Sequence, residues 1–529
     1  MPFSRSQKIA MIGGGMLFFY MMLQFVILPA VIKSQTKKKI ALKPGWQRRD
    51  LWDKYPFSMD LNFYIFNVTN PDQIKAGEKP ILQQVGPFVY DQWQEKTNRI
   101  DREDDDTVLF TMRNTYYFNA EKSNGLTGNE EIVIANLFAL GLVNTLMREK
   151  PSAIPIFGKA IDSLFKKPDN LFIKTTPRAI LFDGLHIDCT AKDFAGAAIC
   201  DQVREKYEEF GMIKVAENEY LFSLWGSRNG TDSKKPTRVL RGLKNIMDVG
   251  KVIEYNYKNN LSVWDDEYCD RLNGSDGTIF HPNFDKHGKD PMIAFNDGLC
   301  RTIACIYDQK SKFRGIKTLR YTTDLGTDPD NPLHKCYCKA PDDCLKKGVY
   351  DAYKCVGAPI VVSNPHFYLA DPEYLTMVDG LKPDKELHAV AIDLDAFTGS
   401  PVQAHIRAQF NFFLFKVEKY KIMKNFPSAL LPIFWIDEHT ILPDFLIKEI
   451  KDGHRLLMIG SMFKIMVLLG GLGTIAYGGF SIYKDMNGNE VQIKKTVKPK
   501  SGDQANGDDK KMPMNISRTV PQSMPPNID

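Results

Sequence analysis

The stretch IAMIGGGMLFFYMMLQFVILPAVI, Ile9–Ile32, contains no charged residue over 24 positions. A helix rises about 1.5 Å per residue, so this run is long enough to cross the hydrocarbon core of a bilayer. Arg5 and Lys8 precede it as they would in a cleaved signal peptide, but the run is too long and Val31–Ile32–Lys33 offers no small-residue cleavage site. The stretch therefore predicts a retained transmembrane helix over residues 9–32, after a short N-terminus of residues 1–8.

A second apolar stretch lies near the other end of the chain. Leu456–Tyr483 is rich in glycine and carries one charge, Lys464, which we expect to snorkel toward the headgroups rather than to face a pore or a partner helix. It predicts a second span over residues 456–483. Two spans leave both termini on one side of the membrane, with residues 33–455 between them as one large domain. The polar tail, residues 484–529, has no periodic apolar residues and is expected to be disordered.

Composition limits the class of protein. The chain has 529 residues, of which 43% are hydrophobic and 25% charged, as in an ordinary globular protein, so the two spans are additions to a folded domain. The net charge of +5 is weak for this length, and no basic stripe is interleaved with aromatic residues. We therefore expect no nucleic-acid partner.

The cysteines indicate the side of the membrane on which the large domain lies. Seven of the nine cysteines fall between Cys269 and Cys355, and a C-x-C-x5-C run without paired histidines favours disulfides over a metal site. Such cysteines place the domain in an oxidising compartment, with both termini in the cytosol. Lysines after the first span favour the opposite orientation, but long domains translocate largely regardless of flanking charge. Sequons in the large domain agree with the cysteines and predict N-glycosylation at Asn67, Asn229, Asn260 and Asn273.

The pattern along the domain is β-rich. Aromatic and β-branched alternation predicts strands at Asp60–Thr69, Ile81–Tyr90, Thr107–Phe118 and His405–Glu418. The acidic run Asp101–Asp106 is expected to be a solvated loop.

A helical insertion interrupts the strands. Ile132–Met147 and Ala153–Phe165 read as two helices too short to span a membrane, forming either a packed hairpin or a mobile cap that meets ligand. Cys189 and Cys200 form either a local disulfide or two buried thiols. The fold class expected from the residues is α+β.

No motif for catalysis is present. The chain has no G-x-S-x-G elbow, no H-E-x-x-H and no P-loop, and its glycine clusters lie within the spans, where glycine permits close helix packing. We expect neither an enzyme nor a metal or other cofactor.

Several stretches together resemble the class B scavenger receptor family, and most closely its insect sensory neuron membrane proteins. They include FNVTNPDQIKAGEKPILQQVGPFVYDQW from Phe66, RGLKNIMDVGKV from Arg241, CDRLNGSDGTIF from Cys269, CYCKAPDDC from Cys336, SNPHFYLADPEYL from Ser363, FTGSPVQAHIRAQFN from Phe397 and LPIFWIDE from Leu431. The resemblance covers the large domain and both spans.

The resemblance implies an irregular antiparallel β-barrel with an internal hydrophobic tunnel, capped by a helical bundle. It also implies three disulfides, Cys269–Cys336, Cys300–Cys355 and Cys338–Cys344, which leave Cys305 unpaired and Cys189–Cys200 as a candidate fourth pair. The cationic ligand-access position of the family falls near Lys166, so that Lys166 and Lys167 are expected at the mouth of the tunnel.

The function implied is a non-enzymatic receptor or co-receptor of olfactory neurons. It would bind a pheromone, fatty acid or ester and deliver it to a membrane-embedded odorant receptor in the plasma membrane of sensory dendrites, with odorant-binding proteins as further candidate partners. Two alternatives stay open at this stage. One is an endocytic scavenger receptor for lipid particles, and the other is a two-span ligand-gated channel.

Overall fold

A computed structural model of the chain describes residues 3–496. The chain divides into two compact units, which are treated separately below. The terminal unit combines the N-terminal residues through Ile27 with the chain from Gly460 onward, and the body comprises Leu28–Ile459. The tail beyond residue 496, which includes the sequon at Asn515, lies outside the described residues.

Helices of the described chain have the following bounds: α1 Arg5–Met22, α2 Leu28–Ile40, α3 Gln47–Asp53, α4 Pro71–Ala76, α5 Leu137–Glu149, α6 Ile154–Leu164, α7 Phe194–Lys206, α8 Tyr353–Val356, α9 Glu373–Thr376, α10 Lys385–His388 and α11 Asp444–Thr496. Single π-helical turns occupy Leu23–Ile27 and Ala179–Asp183, and short 3-10 helices occupy Pro151–Ala153, Gly226–Arg228, Ile246–Asp248, Pro332–Tyr337, Pro365–Phe367 and Lys421–Met423.

Strands have the following bounds: β1 Met59–Val68, β2 Leu82–Arg102, β3 Thr107–Phe118, β4 Ile132–Ala135, β5 Phe172–Thr175, β6 Leu185–Asp188, β7 Met212–Ala216, β8 Glu219–Phe222, β9 Thr237–Leu240, β10 Val252–Tyr255, β11 Met292–Asn296, β12 Arg301–Phe313, β13 Ile316–Thr322, β14 Val349–Asp351, β15 Val361–Ser363, β16 Ala391–Asp395, β17 Ser400–Leu414 and β18 Ala429–Ile441.

Two helical stretches are long and apolar enough to cross a membrane. They are Arg5–Ile40 and Asp444–Asn487. The expected spans at residues 9–32 and 456–483 lie within them. Helix α11 continues as far as Thr496, so the residues from Lys484 to Thr496, assigned to the tail from the sequence, are helical.

Glycines allow the two helices of the terminal unit to approach closely. A Cβ on Gly13 would lie 2.5 Å from the Thr474 hydroxyl, and a Cβ on Gly478 would lie 2.8 Å from the backbone nitrogen of Ala10. Any larger side chain would therefore push the helices apart, as is general for small-residue contacts between membrane helices. The Lys464 ammonium donates a hydrogen bond to Gln24 Oε1 at 2.8 Å, so it bonds a residue of the other helix instead of snorkelling as expected.

The body is built on one large antiparallel sheet. Its strands follow the order β10-β9-β3-β2-β1-β18-β17-β16-β13-β12-β11, with β15 also paired to β17 and β14 paired to β15. The sheet curves until its two edges approach each other, and the chain around Ser275 joins them. Ser275 forms bridges to Lys251, beside β10, and to Ala294 in β11. The α+β class and the antiparallel barrel expected for the domain are confirmed.

Register places two different sets of side chains on the faces of β17 and β18. Ile406, Ala408 and Phe410 in β17 lie opposite Glu438, Ile436 and Phe434 in β18. This set faces inward, because the Phe434 ring packs 5.7 Å from Trp225, which also contacts Phe63 in the main core. The alternating residues face outward and are covered by the chain from Ser363 to His388.

The helical insertion begins later than the sequence suggested. Ile132–Ala135, the first part of the segment expected to be helical, forms strand β4 and pairs with β5. The Asn136 side chain then accepts a hydrogen bond from the Ala139 backbone and starts α5. The expectation of one helix over Ile132–Met147 was wrong because the first residues are β-branched and find a strand partner that lies forty residues further along the chain, at Phe172–Thr175.

The acidic run is the expected solvated loop only in its middle, where residues 102–105 are exposed, and its two ends are not solvated as expected. Asp101 lies in β2 and accepts a hydrogen bond from Arg49 at 2.8 Å, while Arg241 bonds both Asp101 and Asp106. Asp106, Arg49 and Arg241 are each no more than 3% exposed. Local charge density suggested solvation, but two arginines distant in sequence neutralise the first and last residues of the run.

Candidate ligand-binding interior

The inward face of the barrel is apolar but incompletely filled. Ile406, Ala408, Phe410 and Ile436 all face inward and retain accessible surface although the sheet curves around them. Phe410 packs against both of the large core clusters of the body, which places these side chains between the clusters. We call the accessible space along this face the lumen.

Polar groups are present among these apolar residues. Glu438 projects inward between Leu61 of β1 and Ile406 of β17, its neighbours across the sheet. Burial, with a smaller contribution from Asp437, raises the pKa of Glu438 to about 7. A carboxyl group with accessible surface and such a pKa lies in a partly enclosed apolar space and not in bulk water.

The neighbouring rows of the same face carry further polar side chains. Gln92 of β2 lies opposite Tyr116 of β3, and Gln94 lies opposite Asn114. Within the described chain, Gln92 Oε1 and Asn114 Oδ1 are buried oxygens without a hydrogen-bond partner. Burial, and to a smaller extent the charge of Glu438, raise the pKa of Tyr116, which places this phenol near the carboxylate.

Tyr55 is affected by charges of both the lumen and a surface groove. Burial is the main cause that raises the pKa of Tyr55. The negative charges of Asp276 and Glu438 raise it further, and the positive charge of Arg48 lowers it. Arg48 also lines a groove of about 290 Å³. The other lining residues, which follow the first span or precede the second along the chain, include Lys38, Trp46, Leu51, Leu446 and Glu449.

The expected cap consists of one docked helix and a more exposed layer. Helix α5 buries Leu140 and Val143, and the Asn144 amide donates to the Phe413 carbonyl of β17 at 3.0 Å. Arg148, near its end, forms an ion pair with Asp351 at 2.6 Å. Helix α5 therefore matches the packed-hairpin alternative. Helix α6 packs instead against α7 and leaves Ile156 55% exposed.

Lys166 and Lys167 follow α6 at the outer surface of this layer. Both side chains are exposed, and their φ angles of 56° and 57° lie in the left-handed region that lysine rarely adopts. The backbone nitrogen of Lys167 donates to the Asp162 carbonyl at 2.6 Å, which holds this turn against the helix. The structure thus places both residues together in an exposed turn directly after α6, and their part in ligand entry stays a prediction.

The cysteines are paired in the body as the resemblance implied. Cα separations are 6.3 Å for Cys269–Cys336, 5.6 Å for Cys300–Cys355 and 4.7 Å for Cys338–Cys344, all in the range that a disulfide spans. Cys189 and Cys200 form a fourth pair with a separation of 5.2 Å, and Cys305 is free and buried. The Cys189–Cys200 bridge ties the middle of α7 to the residue that directly follows β6.

The four sequons differ in exposure. Asn229 and Asn260 are exposed, whereas Asn67 and Asn273 are partly buried. Asn67 lies in β1, and its Oδ1 accepts a hydrogen bond from the Val133 backbone at 2.8 Å. Exposed loops are the ordinary position of a mature glycan, so Asn229 and Asn260 are the better placed pair.

A histidine cluster on the outer face of the sheet is structural. His366 stacks on His388 with ring centroids 4.2 Å apart, and His366 Nε2 bonds Gln84 at 2.7 Å. Burial lowers the pKa of His366 to about 3 and that of His388 to about 4. Both imidazoles are therefore neutral at physiological pH. They hold the SNPHFYLADPEYL segment against β17 and β18.

Sequence reasoning did not single out Glu438, Gln92 or Tyr116 as site residues. A carboxylate at an inward position of a β-branched and aromatic strand is the one signal that could have identified Glu438. It follows Phe434 and Ile436 at a period of two in LPIFWIDE. Its inward direction depends on the register with β1 and β17.

Comparison with known proteins agrees with the fold. The chain matches the CD36 family over residues 11–482. It is 41% identical to sensory neuron membrane protein 1 of Apis mellifera over 527 residues, or 99% of each chain. Identity to the proteins of the same name is 38% in Ostrinia furnacalis, over 90% of each chain, and 37% in Manduca sexta, over 85% of this chain and 86% of the relative. With a match along nearly its whole length, the chain belongs to the CD36 family.

Proposed function

We propose that the protein is a non-enzymatic receptor or co-receptor of olfactory neurons that carries lipid-like odorants through the barrel to a membrane-embedded odorant receptor. One observation supports this most: the inward face at Ile406, Ala408, Phe410 and Ile436 is apolar and partly accessible within a closed sheet. Such a face is suited to a long hydrocarbon chain.

The energetics favour passive transfer. Each methylene buried in an apolar lumen contributes about 0.8 kcal/mol, and a ligand that passes from the lumen into lipid keeps that contribution. Loading and release therefore need no external energy source. The groove at Arg48 is a candidate exit because its lining residues adjoin both apolar spans along the chain.

The relatives support the cellular setting. Their name refers to sensory neuron membranes, and two apolar helices suit a membrane protein. The proposal therefore places the protein in the dendritic plasma membrane of olfactory neurons, with both termini cytosolic. An odorant receptor complex would be its partner, and odorant-binding proteins would supply ligand from outside.

A tryptophan inside the lumen tests the proposal. The full chain with Ala408→Trp would be expressed in cells together with an odorant receptor, and the response to an apolar odorant would be compared with that of the wild-type chain. The variant should reach the cell surface but lose the gain in sensitivity. Tyr117→Trp is the matched control, because Tyr117 faces outward on β3 and is 60% exposed.

Other outcomes would favour the alternatives. A ligand-gated channel would pass current when the purified chain is reconstituted without an odorant receptor. A scavenger receptor would take up labelled lipid particles in cells that lack that receptor. An undiminished odorant response with Ala408→Trp would contradict transport through the lumen.

A further inference from the structure

A carboxylate in the lumen lacks the partners that buried carboxylates normally have. Among residues 3–496, the Glu438 side chain has no ion-pair or hydrogen-bond partner. The only charged side chain among them that shifts its pKa is the neighbouring Asp437, which lies on the opposite face of the sheet. Its cross-strand neighbours, Leu61 and Ile406, are apolar. An ionised carboxylate among apolar neighbours costs stability, and because Glu438 retains accessible surface its oxygens are open to a hydrogen-bond donor in the lumen.

Two further oxygens on the same inward face are also unpartnered. Gln92 is 4% exposed, and its Oε1 has no hydrogen-bond partner among the described residues. The Asn114 Oδ1 atom is also buried and has no hydrogen-bond partner among them. In β1, Met59 pairs with Gln92 of β2, and Leu61, two residues further on, pairs with Glu438 of β18. Gln92 and Glu438 therefore lie on either side of β1, one row of side chains apart. Buried polar atoms are nearly always bonded, so these two unpaired acceptors on the inward face, two and three strands from Glu438, indicate a missing donor.

We propose that Glu438, Gln92 and Asn114 form a head-group site that selects ligands with a hydrogen-bond donor, of which a long-chain primary alcohol is the best fit. The inference rests on the proposed function, since it assumes that the lumen holds an apolar ligand. It adds the chemical class of the head group. An alcohol O–H donates its one hydrogen to Glu438 or to one of the two amide oxygens while its hydrocarbon chain lies along Ile406, Ala408, Phe410 and Ile436.

The same oxygens disfavour other head groups. A fatty-acid anion would place a second negative charge near Glu438 in a space of low dielectric, where like charges repel strongly. An ether or an ester of the same length has no donor and leaves the protein oxygens unpaired. Selection therefore depends on hydrogen bonding and charge and not on chain length.

Competition binding tests the head-group site directly. The full chain in nanodiscs would be loaded with N-phenyl-1-naphthylamine at pH 8, with the signal of empty nanodiscs subtracted. Hexadecan-1-ol, its methyl ether and hexadecanoate would then compete with the probe. A hydrogen bond to a charged group contributes at least about 1.5 kcal/mol, so the alcohol should compete about tenfold better than the ether. Hexadecanoate should be weaker than the alcohol.

Variants separate this site from the lumen as a whole. Glu438→Leu should bring the ratio of alcohol to ether close to one while the probe still binds, and Gln92→Leu should lower it in the same direction. Glu103→Gln removes an exposed turn carboxylate and serves as the matched control, with the wild-type ratio.

The outcomes distinguish the two proposals. Equal competition by alcohol and ether in the wild-type protein, with the probe bound, would overturn the head-group site and leave the proposed function standing. A wild-type ratio retained in both Glu438→Leu and Gln92→Leu would do the same. Failure of the probe and of every ligand to bind would overturn both proposals.

Discussion

Lys464 donates a hydrogen bond to Gln24 Oε1 at 2.8 Å, and each residue lies in an apolar stretch of a different terminal helix. A lysine in a span is costly unless it reaches water or finds a partner, and here an uncharged amide supplies the acceptor. Both side chains are thereby satisfied within the helix pair. The bond therefore links the two helices at a polar point in an otherwise apolar contact.

Breaking this bond should loosen the helix pair. Lys464→Met or Gln24→Leu in the full chain should each lower its resistance to unfolding in a detergent titration by about 1 kcal/mol, the usual contribution of a polar contact between membrane helices. The double variant should lose less stability than the two single variants added together, because neither polar group is then left without its partner. Strictly additive losses would show that the two residues are not coupled.

Local patterns predicted many elements of the fold, while long-range pairing determined the rest. Strand β3 occupies Thr107–Phe118 as expected, because alternation and β-branching act within the segment. Ile132–Ala135 was misassigned because its partner lies at Phe172–Thr175. Likewise, no local signal showed that Arg241 neutralises Asp106 or that Glu438 faces the lumen, since both facts depend on residues distant in sequence.

The buried arginine network should be important for stability. Arg241→Met would leave Asp106 buried without its guanidinium, and breaking one side of a buried pair typically costs about 3–5 kcal/mol. Thermal unfolding of the detergent-solubilised chain should show a large fall in melting temperature. The exposed pair of Lys234 with Glu208 offers a control, since Lys234→Met should shift the melting temperature little. Equal shifts for the two variants would contradict the burial argument.

Glycan mapping tests the orientation of the body. Glycosidase treatment of the cell-expressed chain should lower its mass, and Asn229→Gln and Asn260→Gln should each reduce that difference. Asn229→Gln should also cost some stability, because Asn229 Oδ1 accepts a hydrogen bond from the Tyr116 backbone at 2.9 Å. Asn67→Gln should also cost stability, because Asn67 Oδ1 bonds the Val133 backbone. Asn515→Gln should have no effect. If Asn515 alone carried a glycan, the proposed cytosolic position of the termini would be wrong.

Glu438 should make stability depend on pH between about 4.5 and 7. Its pKa is about 7 in the folded chain against an ordinary value of 4.5, so the folded state retains a proton that the unfolded state releases. The contribution of Glu438 to the free energy of unfolding therefore falls as pH rises through that window, by up to about 3 kcal/mol. Asp437 adds to the shift, and the nearby phenols of Tyr55 and Tyr116 stay neutral in this range.

Comparison with Glu438→Gln measures this contribution. The amide cannot ionise, so the variant should gain stability relative to the wild-type chain as pH rises from 4.5 to 7 and keep a constant advantage above that range. Melting curves of both proteins in the same detergent across this range would show the divergence. Parallel curves would mean that the carboxyl group has an ordinary pKa and is solvated like a surface acid.

The last prediction concerns Lys166 and Lys167 at the rim of the cap. A surface charge acts on the rate at which an oppositely charged ligand arrives, whereas burial of the hydrocarbon chain determines how strongly the ligand is held. Lys166→Ala with Lys167→Ala should therefore slow loading of a fluorescent fatty acid, with a larger effect at low salt because screening is weaker there. Loading of its methyl ester should be nearly unchanged. Stopped-flow fluorescence on the full chain in nanodiscs measures both rates.

A matched pair of lysines distinguishes a rim effect from a change in total charge. Lys310 and Lys312 are exposed on β12, and replacing both with alanine removes the same charge from a different surface. If that pair slowed the fatty acid as much as the rim pair, attraction by net charge would explain the result. Equal slowing of acid and ester by the rim variant would indicate damage to α6 instead. Ligand access at this rim is supported only if the variant of Lys166 and Lys167 slows the acid and not the ester, slows it more at low salt, and does so where the variant of Lys310 and Lys312 does not. Net charge would not depend on which lysines are replaced, and damage to α6 would not depend on the charge of the head group.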